Sequence, residues 1–154
     1  EVEKVLRKGM SDGECLEEME QRGAVLDARQ PPKTRTLYIP EEGLVLMPGC
    51  GYLASTVETI GTNKFVPELH GRSSMGRLFL SVHQTAAWGD LGFKGTWTLE
   101  MTCIYPVRVY ANMRVCQVSF EQVHGEVDSL YGERNGSKYQ GQDSPKASRS
   151  YEDF

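Results

Sequence analysis

Thr96-Trp97-Thr98-Leu99-Glu100-Met101-Thr102-Cys103 alternates apolar and polar residues without a break. A period of two sends Trp97, Leu99, Met101 and Cys103 to one face and Thr98, Glu100 and Thr102 to the other, which predicts a half-buried β-strand. The polar face sets Glu100 between threonines and allows two readings. On a solvated face Glu100 is a surface carboxylate without a role. On a face that lines a pocket, a flanked and partly desolvated carboxylate is a candidate general base. The alternation alone does not choose between them.

Outward from this stretch the texture stays β. The runs Leu44–Met47, Gly51–Glu58, Leu78–His83, Val107–Tyr110 and Val115–Phe120 are short and bounded by Gly, Pro or Asn, a spacing that suggests a β-barrel or sandwich. Helical spacing is confined to the chain before Gly23, in Val2, Val5 and Leu6 and then Cys15, Leu16 and Met19. Ser11 with Glu14 makes a capping box ahead of the second group, so two short helices are expected there. With 154 residues, one domain is the working expectation.

Composition narrows the function classes. Apolar residues make up 39% and charged residues 25%, ordinary usage for a folded globular chain. A net charge of -4 removes bulk attraction to nucleic acid as a default, because polyanion binding rests on a basic surface. No run approaches the roughly 18 uninterrupted apolar residues of a membrane span, and Glu1-Val2-Glu3-Lys4 lacks the order of a signal peptide. The expected location is the cytoplasm, with no membrane partner. Cys15, Cys50, Cys103 and Cys116 are far apart, and His70, His83 and His124 are as scattered. Reduced thiols and a zinc-independent chemistry are therefore expected.

Three further segments carry chemistry. Gly71-Arg72-Ser73-Ser74-Met75-Gly76-Arg77 gathers two guanidinium groups and two hydroxyls around glycines, an inventory suited to an oxyanion. Taken alone, a polar turn before a strand is the commoner origin of such a composition. Thr85 to Gly95 is a Gly-rich loop with Asp90, Trp88 and Phe93; it reads either as a sugar-holding loop or as a plain hairpin connection. Arg134 to Lys146 is nearly devoid of apolar residues but precedes Tyr151 and Phe154. Unable to pack by burial, it is expected to be a mobile lid ordered by ligand contacts, or else a frayed terminus.

Taken in order, these segments resemble the dCTP deaminase family of the trimeric dUTPase-like superfamily, from about Ala24 to Phe154. Gly71 to Arg77 is similar to the family motif G-R-S-S-x-x-R, Asp90-Leu91-Gly92-Phe93-Lys94-Gly95 to D-x-G-[FW]-x-G, and Thr98-Leu99-Glu100 to T-L-E. Met113 to Gln117 resembles a strand shared with dUTPases, and Gly136 to Gln142, with Ser148 to Tyr151 beyond it, resembles the tail that covers the phosphates. The resemblance implies a mainly β fold, a distorted β-barrel of the dUTPase-like (β-clip) type. It would be one domain over residues 1–154, with short helices in residues 1–23 and a C-terminal lid over residues 132–154.

It also implies hydrolytic deamination of dCTP to dUTP and ammonia by a Glu-activated water without zinc. Glu100 would move the protons, and Ser73 and Arg77 would orient the water and stabilise the intermediate. Arg72, Ser74, Lys138 and Gln142 would hold the triphosphate together with a magnesium ion. Asp90 would meet the deoxyribose hydroxyl, Phe93 would cover the sugar and Tyr131 would pack near both. Thr98 and the backbone at Ala86 would read the base. Gln117 and the tail from Lys138 resemble bifunctional members, which carry dUTP on to dUMP and pyrophosphate; that activity and a non-catalytic nucleotide-binding homologue are the alternatives. The partners implied are dCTP and dUTP, dTTP as an inhibitor, and two further copies of the chain in a homotrimer.

Overall fold

Among the described residues seven strands run in chain order: β1 (Leu44–Leu46), β2 (Tyr52–Gly61), β3 (Phe65–Gly71), β4 (Leu80–Ser81), β5 (Lys94–Cys103), β6 (Val107–Val109) and β7 (Cys116–Gln122). One turn of helix, α1 (Ser73–Gly76), lies between β3 and β4, and a 3-10 turn spans Ser150–Asp153. The computed structural model describes residues 25–133 and 136–154. The two helices expected in residues 1–23 lie outside the described residues. No helix among the described residues is long and apolar enough to cross a membrane.

The strands form three antiparallel sheets, β1-β6, β2-β5-β4 and β3-β7. The fold is mainly β, as expected, and no continuous ladder closes the described strands into one barrel. β5 is central. Its inward residues Trp97, Leu99, Met101 and Cys103 are all buried, while Thr96, Thr98, Glu100 and Thr102 alternate with them at intermediate exposure. They join Leu46, Leu69, Met75, Leu80, Phe93, Val107 and Val109 in the core. Burying a side chain such as Leu99 stabilises the fold by about 1.5–3 kcal/mol, so the alternating pattern of β5 is a principal source of its placement.

Register faults occur where a side chain replaces a ladder bond. The β2-β5 pairing shifts between Ser55 and Thr59. Thr56, buried in that shift, donates to Glu58 O at 2.8 Å and accepts from Trp97 N at 2.9 Å. The bulge therefore leaves this buried hydroxyl satisfied.

One expected run is shorter than read, and one strand lies outside the expected runs. Leu78–His83 is a strand only at Leu80–Ser81, because the helical turn continues: Leu78 N donates to Met75 O and Phe79 N to Gly76 O. Phe79 then takes a left-handed φ of 56°. β3 was missed because Pro67, Glu68 and His70 interrupt its apolar pattern. Its pairing with β7 runs from Phe65↔Gln122 to Gly71↔Cys116.

The contacts of the described residues gather into two compact units, one within residues 37–146 and one formed by residues 25–36 with 147–154. In the smaller unit, Ser150 Oγ donates to Ala28 O at 2.8 Å, and the Arg29 guanidinium lies 4.9 Å from the centroid of the Phe154 ring. All seven strands belong to the larger unit.

Candidate active site along one edge of the central strand

One edge of β5 pairs with β2. The other is shared by three segments in succession: the tail along Lys94–Thr98, the loop after β4 at Glu100, and β4 at Thr102–Cys103. This division brings the polar face of β5 among the chemistry-bearing loops.

The tail docks through backbone and glutamine amides. Gly141 N donates to Lys94 O at 3.0 Å, Thr96 N to Gln142 O at 2.9 Å, and Lys146 N to Thr98 Oγ1 at 3.1 Å. Gln142 Nε2 donates to Thr96 O at 2.6 Å and to Thr98 Oγ1 at 3.4 Å. Gln140 accepts from Lys94 N at 2.9 Å and donates to Gly92 O at 2.8 Å. The tail is expected from sequence to be unable to pack by burial; residues 140–146 meet β5 through hydrogen bonds instead. A strand edge offers unpaired N–H and C=O groups, and Gln amides satisfy both kinds. Gly95 permits the approach, since a Cβ there would lie 2.7 Å from Gln142 O. Gln142, expected on phosphate, is engaged with β5, and the hydroxyl of Thr98, expected on the base, accepts from Gln142 and Lys146 of the tail.

The hairpin Asp90–Phe93 is held from below. Phe93 N donates to Asp90 O at 3.2 Å, and Gly92 N donates to Thr62 O at 2.9 Å. Phe93 is buried, edge-to-face with Trp97 at 6.3 Å and with Tyr131 at 5.8 Å. Its ring is thus part of the core and supports the hairpin from inside. Tyr131 N donates to Leu91 O at 2.7 Å, and its hydroxyl accepts from Tyr139 N at 2.8 Å. Lys138 is half-buried beside this tyrosine contact in sequence, while Asp90 is exposed.

The preceding loop is hung on β3: Leu69 N donates to Ala87 O and Gly89 N to Pro67 O, both at 2.8 Å. Ala86 is exposed. A Cβ on Gly89 would lie 2.4 Å from Trp97 and 2.9 Å from Pro67, so the backbone just before Asp90 is seated where no side chain fits. Gly89→Ala is expected to destabilise the fold by about 1–3 kcal/mol through overpacking. Thermal unfolding checks this, and an unchanged midpoint would show that the loop yields freely.

Gly71 to Arg77 joins the end of β3 to α1. Buried Met75 anchors the turn, and Arg72 is fixed by Nη1 to Arg114 O at 3.0 Å and by its backbone N to Val115 O at 3.4 Å. The side chains of Ser73, Ser74 and Arg77 are exposed and make no hydrogen bond among the described residues. An open cleft of about 750 Å³ is bordered by Arg72, Ser73, Ser81, His83, Gln84 and Thr102. Gln117, on β7, is exposed and lies opposite His70.

Glu100 is half-buried and gripped by one loop. Its backbone N donates to Val82 O at 3.1 Å. Gln84 N donates to Glu100 Oε2 at 3.0 Å, while Gln84 Nε2 donates to Glu100 O at 3.1 Å and to Thr102 Oγ1 at 3.0 Å. The second carboxylate oxygen, Oε1, accepts no hydrogen bond among the described residues. Sequence reasoning missed Gln84 and Gln140, because an exposed Gln in a polar loop carries no pattern of its own. Cys103 and Cys116 are thiols held neutral: burial pushes both up, with the Glu58 carboxylate adding to the effect at Cys116. Among the described residues no group of three His, Cys, Asp or Glu side chains gathers as metal ligands.

The model of the dCTP deaminase-like family matches residues 12–123, a span that contains the phosphate-type turn, the hairpin and β5. The chain belongs to the dCTP deaminase-like family. It is similar to "dCTP deaminase, dUMP-forming" of Clostridium beijerinckii, with 47% identity over 130 residues covering 84% of this chain and 73% of the relative. The protein of the same description from Clostridium botulinum strain Alaska E43 is 50% identical over 129 residues, 84% of this chain and 72% of the relative. That from Leptospira biflexa is 47% identical over the same length and shares. Of the segments that resemble the family motifs, Thr98–Glu100 lies on β5, the Asp90–Phe93 hairpin leads into it, and Gly71–Arg77 borders the cleft that Thr102 also lines.

Proposed function

We propose that this protein is a bifunctional dCTP deaminase that takes dCTP through dUTP to dUMP, pyrophosphate and ammonia. The observation that carries the first step is Glu100: a half-buried carboxylate with one oxygen pinned by Gln84 N and the other unengaged among the described residues. Glu100 Oε1 takes a proton from the water that attacks C4 of cytosine and delivers it to N3; the carboxylate then takes the hydroxyl proton of the tetrahedral intermediate and delivers it to the amine, which leaves as ammonia as the 4-keto group forms. Ser73 and Arg77 orient that water and stabilise the charge of the tetrahedral intermediate. Their exposed side chains, held on a turn whose Met75 is buried, suit a ligand that arrives from outside the protomer's own core.

The second step, attack of water on the α-phosphorus with pyrophosphate leaving, is favoured over release of dUTP because the relatives above are described as dUMP-forming. Single-product deamination to dUTP, the first expectation from sequence, therefore yields to the bifunctional alternative. Arg72, Ser74, Lys138 and Gln142 serve the triphosphate in this reading. Gln142 must then exchange its bonds to β5 for phosphate contacts, or hand that role to Lys138. Asp90 meets the sugar hydroxyl beside Tyr131, with Phe93 beneath. Thr98 and the Ala86 backbone face the base, and Gln117 contributes on the dUTPase side. The exposed Ser74 hydroxyl, which makes no hydrogen bond among the described residues, fits a phosphate oxygen beside the Arg72 guanidinium, and magnesium when bound shares the triphosphate's charge.

A homotrimer is part of the same proposal. In this reading the site is completed between copies: Glu100 exchanges no hydrogen bond with Ser73 or Arg77 among the described residues, and a neighbouring copy supplies the facing turn. Leu78, Phe79, Ile104 and Tyr105 form an exposed apolar group, with Phe79 and Tyr105 edge-to-face at 5.5 Å, which suits burial against a second copy. The test is turnover of dCTP with ammonia, dUTP and dUMP followed separately, on enzyme whose solution mass is measured. Ammonia and dUMP in equal amounts from a trimer are expected. Accumulating dUTP would reduce the reading to simple deamination, and an active monomer would overturn the assembly.

A further inference from the structure

We propose that Gln84 is a positioning residue for Glu100, and that it decides which carboxylate oxygen meets the attacking water. This inference rests on the reading of Glu100 as the proton shuttle. The β4-β5 ladder ends at Ser81↔Thr102, two residues short of Glu100 on β5. From there the chain of β4 continues as a loop that keeps one backbone bond, Glu100 N to Val82 O, and Gln84 supplies the remaining contacts with Glu100. It reaches Glu100 at three atoms or their neighbours: its backbone N holds Oε2, and its side-chain amide spans Glu100 O and Thr102 Oγ1 at 3.1 and 3.0 Å.

The amide orientation follows from its partners. Glu100 O can only accept, so the NH₂ end of Gln84 must face it, with the Thr102 hydroxyl accepting the second N–H. This fork fixes the position of residue 84 relative to β5, and hence the position from which its backbone N reaches the carboxylate. One oxygen of Glu100 is committed to a donor and the other is left to accept a proton. Because Gln84 is exposed and also borders the cleft shared with Arg72 and Ser73, the fork ties the carboxylate to the loop that faces the phosphate-type turn. A carboxylate released from this grip samples several rotamers, and misplacement of a reacting group by about 1 Å can cost about 10²-fold in rate.

The test uses the full chain and dCTP, comparing Gln84→Met, which keeps length and volume but has no amide, with Glu100→Gln and the double variant. Gln84→Met is expected to lower kcat for ammonia release by about 10- to 100-fold while KM for dCTP moves less than about threefold. The double variant should be no slower than Glu100→Gln alone, measured in single turnover with enzyme in excess, because a residue acting only through Glu100 has nothing left to position. Wild-type kcat in Gln84→Met beside an inert Glu100→Gln would overturn the role of Gln84 and leave the shuttle standing. So would a further loss in the double variant, which is the mark of a merely structural role. Full activity of Glu100→Gln would overturn the shuttle and this inference with it. Should Gln84→Met fail to fold, Thr102→Val removes the acceptor at the far end of the fork, and a smaller fall in kcat, about threefold, without a change in KM is expected; an unchanged kcat there would overturn the proposal.

Discussion

Glu100→Gln is expected to abolish ammonia release from dCTP, by about 10²-fold or more, while dCTP still binds. The substitution keeps the length and planarity of the side chain, so the hydrogen bond from Gln84 N can be made by the amide oxygen. The other terminal atom then becomes an NH₂ group, which donates and cannot accept the proton of an attacking water. A 10²-fold loss corresponds to about 2.7 kcal/mol of transition-state stabilisation, the size expected of a single proton-transfer group rather than of a lost fold. Ammonia release and dCTP affinity measured on the same preparation separate the two effects. Turnover within about threefold of the parent would remove Glu100 from the mechanism, and lost binding with it would recast Glu100 as a binding residue.

The fold was most legible where one face of an element is wholly apolar. Trp97, Leu99, Met101 and Cys103 alternate strictly, and all four are buried in β5, because a two-residue period leaves a strand only one way to turn. β3 was invisible for the opposite reason. Its buried residues Pro67 and Leu69 are separated by Glu68, and a proline argues against a central strand. It is tolerated here because β3 pairs in its sheet with β7 alone, and Pro67 lends its carbonyl to Gly89 N. At the site, the motif residues could be picked out by type, whereas their support could not. Gln84, Gln140 and Gln142 act through amides that meet strand edges far away in sequence, and such contacts leave no periodic trace.

Those glutamines also determine what the tail should do, and the expected result is a clear loss of function when they are removed. Gln140 and Gln142 together make hydrogen bonds with Lys94 N, Gly92 O, Tyr131 O, Thr96 O and Thr98 Oγ1. At about 1 kcal/mol or less for each exposed bond, Gln140→Ala with Gln142→Ala should cost the docked tail a few kcal/mol, enough to make undocking common. The β core should remain folded, since its buried cluster contains neither residue. Tail segments near a site close it against water and complete it, so KM for dCTP is expected to rise about tenfold or more, with a fall in turnover. The Thr96 amide reports the event from within β5, because it donates to Gln142 O. Hydrogen exchange at Thr96 and Gly141 should accelerate together in the double variant, while Leu99, in the β2-paired stretch of the strand, stays protected. Unchanged exchange at Thr96 with unchanged kinetics would mean that the backbone contacts alone hold the tail and that its glutamines serve neither closure nor substrate.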